Sequence, residues 1–342
     1  MEEETMTRYL LALTIPAAVA LSIEWRGPWA WFALFYAFGF LPLLELLLPV
    51  VPGNLEPVRE EHLSRQSAFD WLLRIMLPLQ LLLLHRFLSA FSVPDSFDGM
   101  ETPGLISAMG VACGVIGINV AHELGHRRNS LDRWIARALL STSLYWQFYV
   151  EHNRGHHKNV ATEGDPESAP RGETVYRFWV RALRDSFFSA WRLDPREMAL
   201  GSAVEISLLA GIGLLYGVQA MLAFFPAAIF GMLLLQSVNY IEHYGLRRKQ
   251  LDSGGFEPVE PRHSWNSDHP LSRSILFELS RHSDHHANVV RKYQVLRHLD
   301  PSPQLPTGYP GMILLALLPP LWFRTMDRRL SVPASPEVLT DS

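Results

Sequence analysis

A single cysteine, Cys113, stands among 342 residues, and no C-x-x-C pair occurs. That excludes an internal disulfide, a zinc ribbon and a cysteine-ligated iron–sulfur centre. Charge is scarce too. Asp, Glu, Lys and Arg make up 19% of the chain, too little for a disordered protein, and a net charge of -4 offers no basic field to a nucleic acid. No glycine-rich dinucleotide fingerprint is present, so the chain has no nicotinamide or flavin site from which to draw electrons. The first apolar stretch follows Glu2, Glu3 and Glu4 where a secretory signal would be basic, and it reads as a retained span. In quantity there are apolar residues, 48% with 10 Trp and 18 Phe, and 14 histidines. The mean hydropathy of +0.07 averages nearly charge-free segments with segments that hold most of the ionisable residues. This is the composition of a membrane protein with a large water-facing part, whose metal, if any, is held by nitrogen or oxygen.

A helix needs roughly 20 mainly apolar residues to cross the hydrocarbon core. Six windows qualify, at about 9–24, 28–51, 69–92, 104–121, 203–222 and 223–241. The connection from Pro94 to Thr102 has no Lys or Arg, whereas the stretch after the fourth window carries Arg127, Arg128, Arg133, Arg137, Arg154 and Lys158 among others. By the positive-inside rule, 122–202 and 242–342 are cytoplasmic. Leu131 to Val150 and Leu305 to Phe323 are apolar but interrupted, and read as interfacial or buried helices. The expected architecture is all-α: one membrane-bound domain, 1–342, with a bundle of about six transmembrane helices and a helical cytoplasmic cap.

The histidines cluster. His122-Glu123-Leu124-Gly125-His126 ends the fourth window, with two imidazoles four residues apart and on one helix face. Glu151-His152-Asn153-Arg154-Gly155-His156-His157 repeats that spacing with an extra His, and Arg281-His282-Ser283-Asp284-His285-His286 offers an i, i+3 pair with an adjacent His. Successive residues on a helix point about 100° apart, so each His-His doublet can serve two neighbouring metals. His243, at the end of the sixth window, completes a set of nine. Imidazole suits Zn, Cu, Fe and Ni, and nine ligands exceed what one ion accepts. The first cluster also matches H-E-x-x-H, the signature of a zinc protease, but that reading leaves the other clusters unused. A transporter or non-catalytic metal store is a third reading, which predicts ionisable residues along the spans.

These boxes, with Asn239-Tyr240-Ile241-Glu242-His243-Tyr244-Gly245-Leu246, Arg291-Lys292-Tyr293-Gln294, His263-Ser264-Trp265-Asn266 and Leu305-Pro306-Thr307-Gly308-Tyr309-Pro310, resemble the alkane monooxygenase branch of the integral-membrane di-iron enzymes related to fatty acid desaturases. The resemblance covers about 119–325, and weakly the first three spans. It implies two non-haem iron ions held by His122, His126, His152, His156, His157, His243, His282, His285 and His286. It also implies terminal hydroxylation of alkanes by O2, a separate rubredoxin with rubredoxin reductase as electron source, and a place in the bacterial inner membrane. Val120 departs from the Thr expected before the first box, which keeps xylene-type aromatic methyl monooxygenases open, beside fatty acyl desaturases and hydroxylases. Around the boxes, Asn119, Glu123, Glu151, Glu242 and Asp284 are candidates to orient the histidines. Asp165 and Glu163 suit either a turn or a proton route, and His263 and His269 either surround the site or lie outside it. Arg247, Arg248 and Lys249 are candidates to dock the electron donor. Ala30, Ala33 and Ala37 form a small-residue stripe that suits either close helix packing or a substrate channel.

Overall fold

Six helices are long and apolar enough to cross a bilayer in the computed structural model, which describes residues 2–93 and 99–330. They are Met6–Trp25, Gly27–Leu47, Ser67–Phe91, Glu101–Gly125, Pro195–Tyr216 and Val218–His243. The end of the expected cytoplasmic part, 331–342, and 94–98 lie outside the described residues. Among the described residues there is no β-strand, only the isolated bridges Gln250–Phe256 and Asn266–Gln304.

Where the helices start and stop departs from the apolar windows for local reasons. The second span ends at Leu47, short of 51, because Pro49 pushes Leu48 into an extended conformation, φ -97° and ψ 143°. The fifth starts at Pro195, eight residues before the expected 203: Asp194 Oδ1 accepts the Glu197 amide at 3.0 Å, and Pro195 takes the first helical position. The expected boundary between residues 222 and 223 lies instead at Gly217, whose φ of 90° ends one span before Val218 opens the next. An apolar run continuing through that turn hides it from hydropathy. The stretch 131–150 divides into Ser130–Ser141 and Trp146–Glu151, with Leu144 at φ 52° between them. The stretch 305–323 divides into Tyr309–Ala316 and Pro319–Leu330.

The fourth span is the buried axis of the bundle. It packs on the sixth through small residues: Gly114 lies against Gly231 and Leu234, and a methyl group added at Gly231 would stand 2.5 Å from Cys113 Cβ and 2.9 Å from the Gly114 amide. In a bilayer, where lipid tails are as apolar as side chains, such close approach is what holds helices together. It also brings the ends that carry His122 and His243 to one level. Spans one and two are joined through Arg26 alone, and five and six through Gly217 alone. The long segments, 48–66, 126–194 and 244–330, therefore gather at the other end, where they build the cap. Buried ion pairs fasten it: Glu278 takes Arg273 at 2.7 Å, Arg281 at 3.5 Å and also Arg8 from the first span, while Arg74 of the third span takes Asp132 at 2.8 Å.

Overpacking the axis should be costly. Gly231→Ala is expected to destabilise the protein by roughly 1–3 kcal/mol, whereas Gly211→Ala, which meets nothing within 4 Å, is expected to leave it unchanged or slightly firmer. Thermal unfolding in detergent compares the two, and equal midpoints would contradict this packing.

Candidate metal centre

All nine histidines of the boxes meet in the cap, and the backbone decides how they divide. His122 and His126 lie one turn apart at the end of the fourth span. The helix Trp146–Glu151 runs into a π-helical turn, His152–His156. That wider turn puts His152 and His157 on one face and turns His156 to the other. Within the helix His282–Ala287, His282 and His286 share a face while His285 faces away from them. Two large groups result, each with its ligand atoms within 4.8 Å of one another: His122, His126, His152, His157 and His285, and His156, His243, His282 and His286; a third, smaller group joins His152 and His156 to Glu167 across them. The doublets His156-His157 and His285-His286 thus each split between the two large groups. The spacing-based pair His152/His156 meets at Glu167, while in the two large groups the π-turn brings His152 together with His157, and His282 joins His286 instead of His285.

The rings converge through Nε2. In the first group Nε2 of His157 lies 3.0 Å from that of His152, 3.2 Å from that of His126 and 3.2 Å from that of His285. In the second, Nε2 of His282 lies 2.9 Å from that of His286 and 3.1 Å from that of His243. Imidazole–metal bonds of about 2.1 Å meeting near a right angle place neighbouring nitrogens about 3 Å apart, so the spacing fits ligands around a common cation. Nε2 of His122 and of His156 are buried without a hydrogen-bond partner, as expected of lone pairs reserved for a metal. Burial first, and neighbouring His156 second, push His126 down to about 3. Burial likewise holds His152, His157, His282, His285 and His286 well below the usual histidine range, so their rings are neutral at physiological pH. His156 is the exception: burial opposes its charge, but Asp165 outweighs that and raises its proton affinity.

The groups behind the rings differ from the expected set. Glu242 Oε1 lies 3.3 Å from His282 Nδ1, and is the one of the five candidates that faces a ring nitrogen. Asp165, left open between a turn and a proton route, stands 3.0 Å from His156 Nδ1 and also takes the Ser168 hydroxyl; Glu163 is exposed. Asn119 donates to the Leu276 carbonyl. Glu123 accepts from Arg127 and from the Tyr293 amide, so it is not the free general base that H-E-x-x-H requires in a protease. Glu151 takes a weak bond from Ser189 at 3.5 Å. Asp284 ties Asn288 and the Arg297 amide, shaping the loop after the third box. His263 contributes through its carbonyl, 3.4 Å from His243 Nδ1, whereas His269 bonds Ser267. Glu167, unmarked by the sequence reading, lies 4.0 Å from His156 Nδ1 and is pushed up to about 7 by burial. The acid pair Asp165-Pro166-Glu167 just after the second box was its one available signal.

An apolar cavity lies between the second, fourth and sixth spans and the cap, and reaches Asn119, one turn before His122. Ala37, Leu41 and Glu45 line it along one helix face, a rise of about 12 Å, and Asn119 stands at its cap end beside Tyr309. Ala37 is the member of the alanine stripe on that wall. Ala30 packs where a side chain on Gly104 would sit, and the Ala33 amide donates to Ser22 Oγ at 2.9 Å; neither residue lines this cavity. Of the docking candidates, Arg247 and Lys249 are exposed, while Arg248 is held by the Glu257 and Lys158 carbonyls at 2.7 and 2.9 Å.

The sequence matches the fatty acid desaturase family model over residues 102–315. It is 37% identical over 326 residues to alkane 1-monooxygenase 2 of Pseudomonas aeruginosa, covering 91% of this chain and 86% of that one. It is 37% identical over 344 residues to alkane 1-monooxygenase 1 of Alcanivorax borkumensis, covering 94% and 84%. The hydroxylase component of a xylene/toluene monooxygenase of Pseudomonas putida is 27% identical over 364 residues, covering 97% and 92%. With histidine clusters, membrane-crossing helices and sequence all in agreement over some nine-tenths of its length, the chain belongs to the alkane 1-monooxygenases, membrane-bound oxidoreductases of the fatty acid desaturase family.

Proposed function

We propose that the chain hydroxylates the terminal methyl group of linear alkanes to primary alcohols with O2, using two non-haem iron ions. The observation that carries this reading is the juxtaposition of two histidine groups with the cap end of an apolar cavity. In it, His122, His126, His152, His157 and His285 hold one iron, and His156, His243, His282 and His286 the other. Bound iron supplies the activation of O2 that breaking a strong C–H bond demands and no side chain provides. The chain's own residues do the rest. The cavity binds a substrate with no polar handle by burial, worth about 0.8 kcal/mol per methylene. Asp165 and the His263 carbonyl take the Nδ1 atoms of His156 and His243, which favours protons there and lone pairs at Nε2.

Each turnover consumes two electrons, and these come from a separate rubredoxin served by its reductase. Arg247 and Lys249 suit an acidic partner on the cap face. The protein resides in a bacterial inner membrane with the cap in the cytoplasm, in keeping with the arginine-rich segments there. Aromatic methyl oxidation is the second reading. It draws on the xylene/toluene relative, at 27% identity against 37% for the alkane enzymes, which favour the linear chain.

Supplied with electrons, the purified iron-loaded enzyme should convert dodecane to 1-dodecanol faster than it oxidises p-xylene; product analysis showing oxidation of the aromatic methyl alone would overturn the alkane assignment. Filling the cavity at Ala37 should shorten the preferred chain. Ala37→Trp is expected to keep its iron and to shift the chain-length profile toward shorter alkanes, and an iron-loaded variant with the wild-type profile would remove Ala37 from the substrate wall.

A further inference from the structure

Tyr309 belongs to two environments. Its ring lines the apolar cavity and is fully buried, and its hydroxyl donates to Glu242 Oε1 at 2.6 Å. The same Oε1 lies 3.3 Å from His282 Nδ1, and Nε2 of His282 lies 2.9 Å from that of His286. Wall and histidine group are therefore connected by one hydrogen bond, Tyr309 to Glu242, and one close approach, Glu242 to His282, whose Nδ1 has no hydrogen-bond partner of its own. The other end of Tyr309 is fixed: its amide donates to Ser272 Oγ at 3.0 Å, and Ser272 is clamped by Glu45, which accepts its amide at 2.7 Å and its hydroxyl at 3.0 Å. With the backbone anchored, displacement of the ring by an occupant of the cavity falls on the hydroxyl end. Asn119 and Glu45, also on the wall, bond to Leu276 and Ser272 instead and form no such link.

We propose that Tyr309 is a positioning residue that couples occupancy of the cavity to the orientation of His282, through Glu242. The inference rests on reading the cavity as the hydrocarbon site and the second histidine group as a metal site. Its consequence is that substrate binding tightens or turns one ligand of one metal, so that the centre differs between its empty and alkane-filled states. A closely packed interior transmits such a displacement because it has no slack to absorb it.

Cobalt substitution offers a readout separate from turnover. In the cobalt-loaded wild type, dodecane should shift the visible ligand-field bands, and in Tyr309→Phe, which keeps the ring and all nine histidines, dodecane should bind without shifting them. Ile313→Ala reshapes the same wall without touching Glu242 and should retain the response. In the iron enzyme, Tyr309→Phe should lower kcat by about 10- to 100-fold with little change in KM. Should the Phe variant fail to load metal, Glu242→Ala removes the shared acceptor and should be equally silent. Dodecane retained by wild type without a band shift, or a wild-type shift in Tyr309→Phe or Glu242→Ala, would overturn the coupling. Failure of the cobalt-loaded wild type to retain labelled dodecane would instead overturn the substrate reading on which it rests.

Discussion

Nine imidazoles brought to within a few ångströms of one another cannot carry protons together, and once buried they cannot be solvated either. Burial and mutual repulsion hold most of these rings neutral, and neutral rings converging through Nε2 leave lone pairs that only cations can satisfy. Much of the molecule serves this condition. The glycine seam between the fourth and sixth spans brings His122 and His243 to one level, the π-turn at His152–His156 divides the second box, and buried ion pairs around Glu278 fasten the segment that leads to His282. A centre assembled from four stretches of chain also links those stretches, so metal binding and cap folding are coupled.

The electrostatics are uneven across the centre. Asp165 lies beside His156 and Glu242 beside His282, both on the second group, and Glu167 stands between the groups within reach of His152 and His156, whereas the rest of the first group is built from His122, His126, His157 and His285, with His126 and His157 only half-buried. Two metals held there would experience different fields, the one beside the carboxylates being favoured in its higher charge state. The cavity approaches this asymmetric centre at the side of Tyr309 and Glu242.

The class of fold and the nine histidines were legible because both depend on local patterns: apolar runs of membrane length, and imidazoles at helical spacing. Boundaries set by single residues were less so. Gly217 interrupts an apolar run without altering its hydropathy, and Pro195 begins a helix while the sequence is still polar. The division of the histidines into five and four was hidden for another reason: a π-turn is a tertiary accommodation with no signature in a seven-residue box. Carboxylate partners were hardest. Glu123, Glu151 and Asp284 lie beside histidines in sequence but spend their oxygens on Arg127, Ser189 and the loop at Asn288, while Asp165 reaches His156 from nine residues away. Sequence adjacency on a helix places consecutive side chains in different directions, so the neighbour in the chain is seldom the neighbour in space.

The central claim is that the two histidine groups are two metal sites. Iron analysis of the purified protein combined with X-ray absorption at the iron edge tests it most directly. Two irons per chain, each in a shell dominated by imidazole nitrogen at about 2.1 Å, is the predicted result; a single iron per chain in fully active protein, or an iron shell dominated by oxygen, would contradict it.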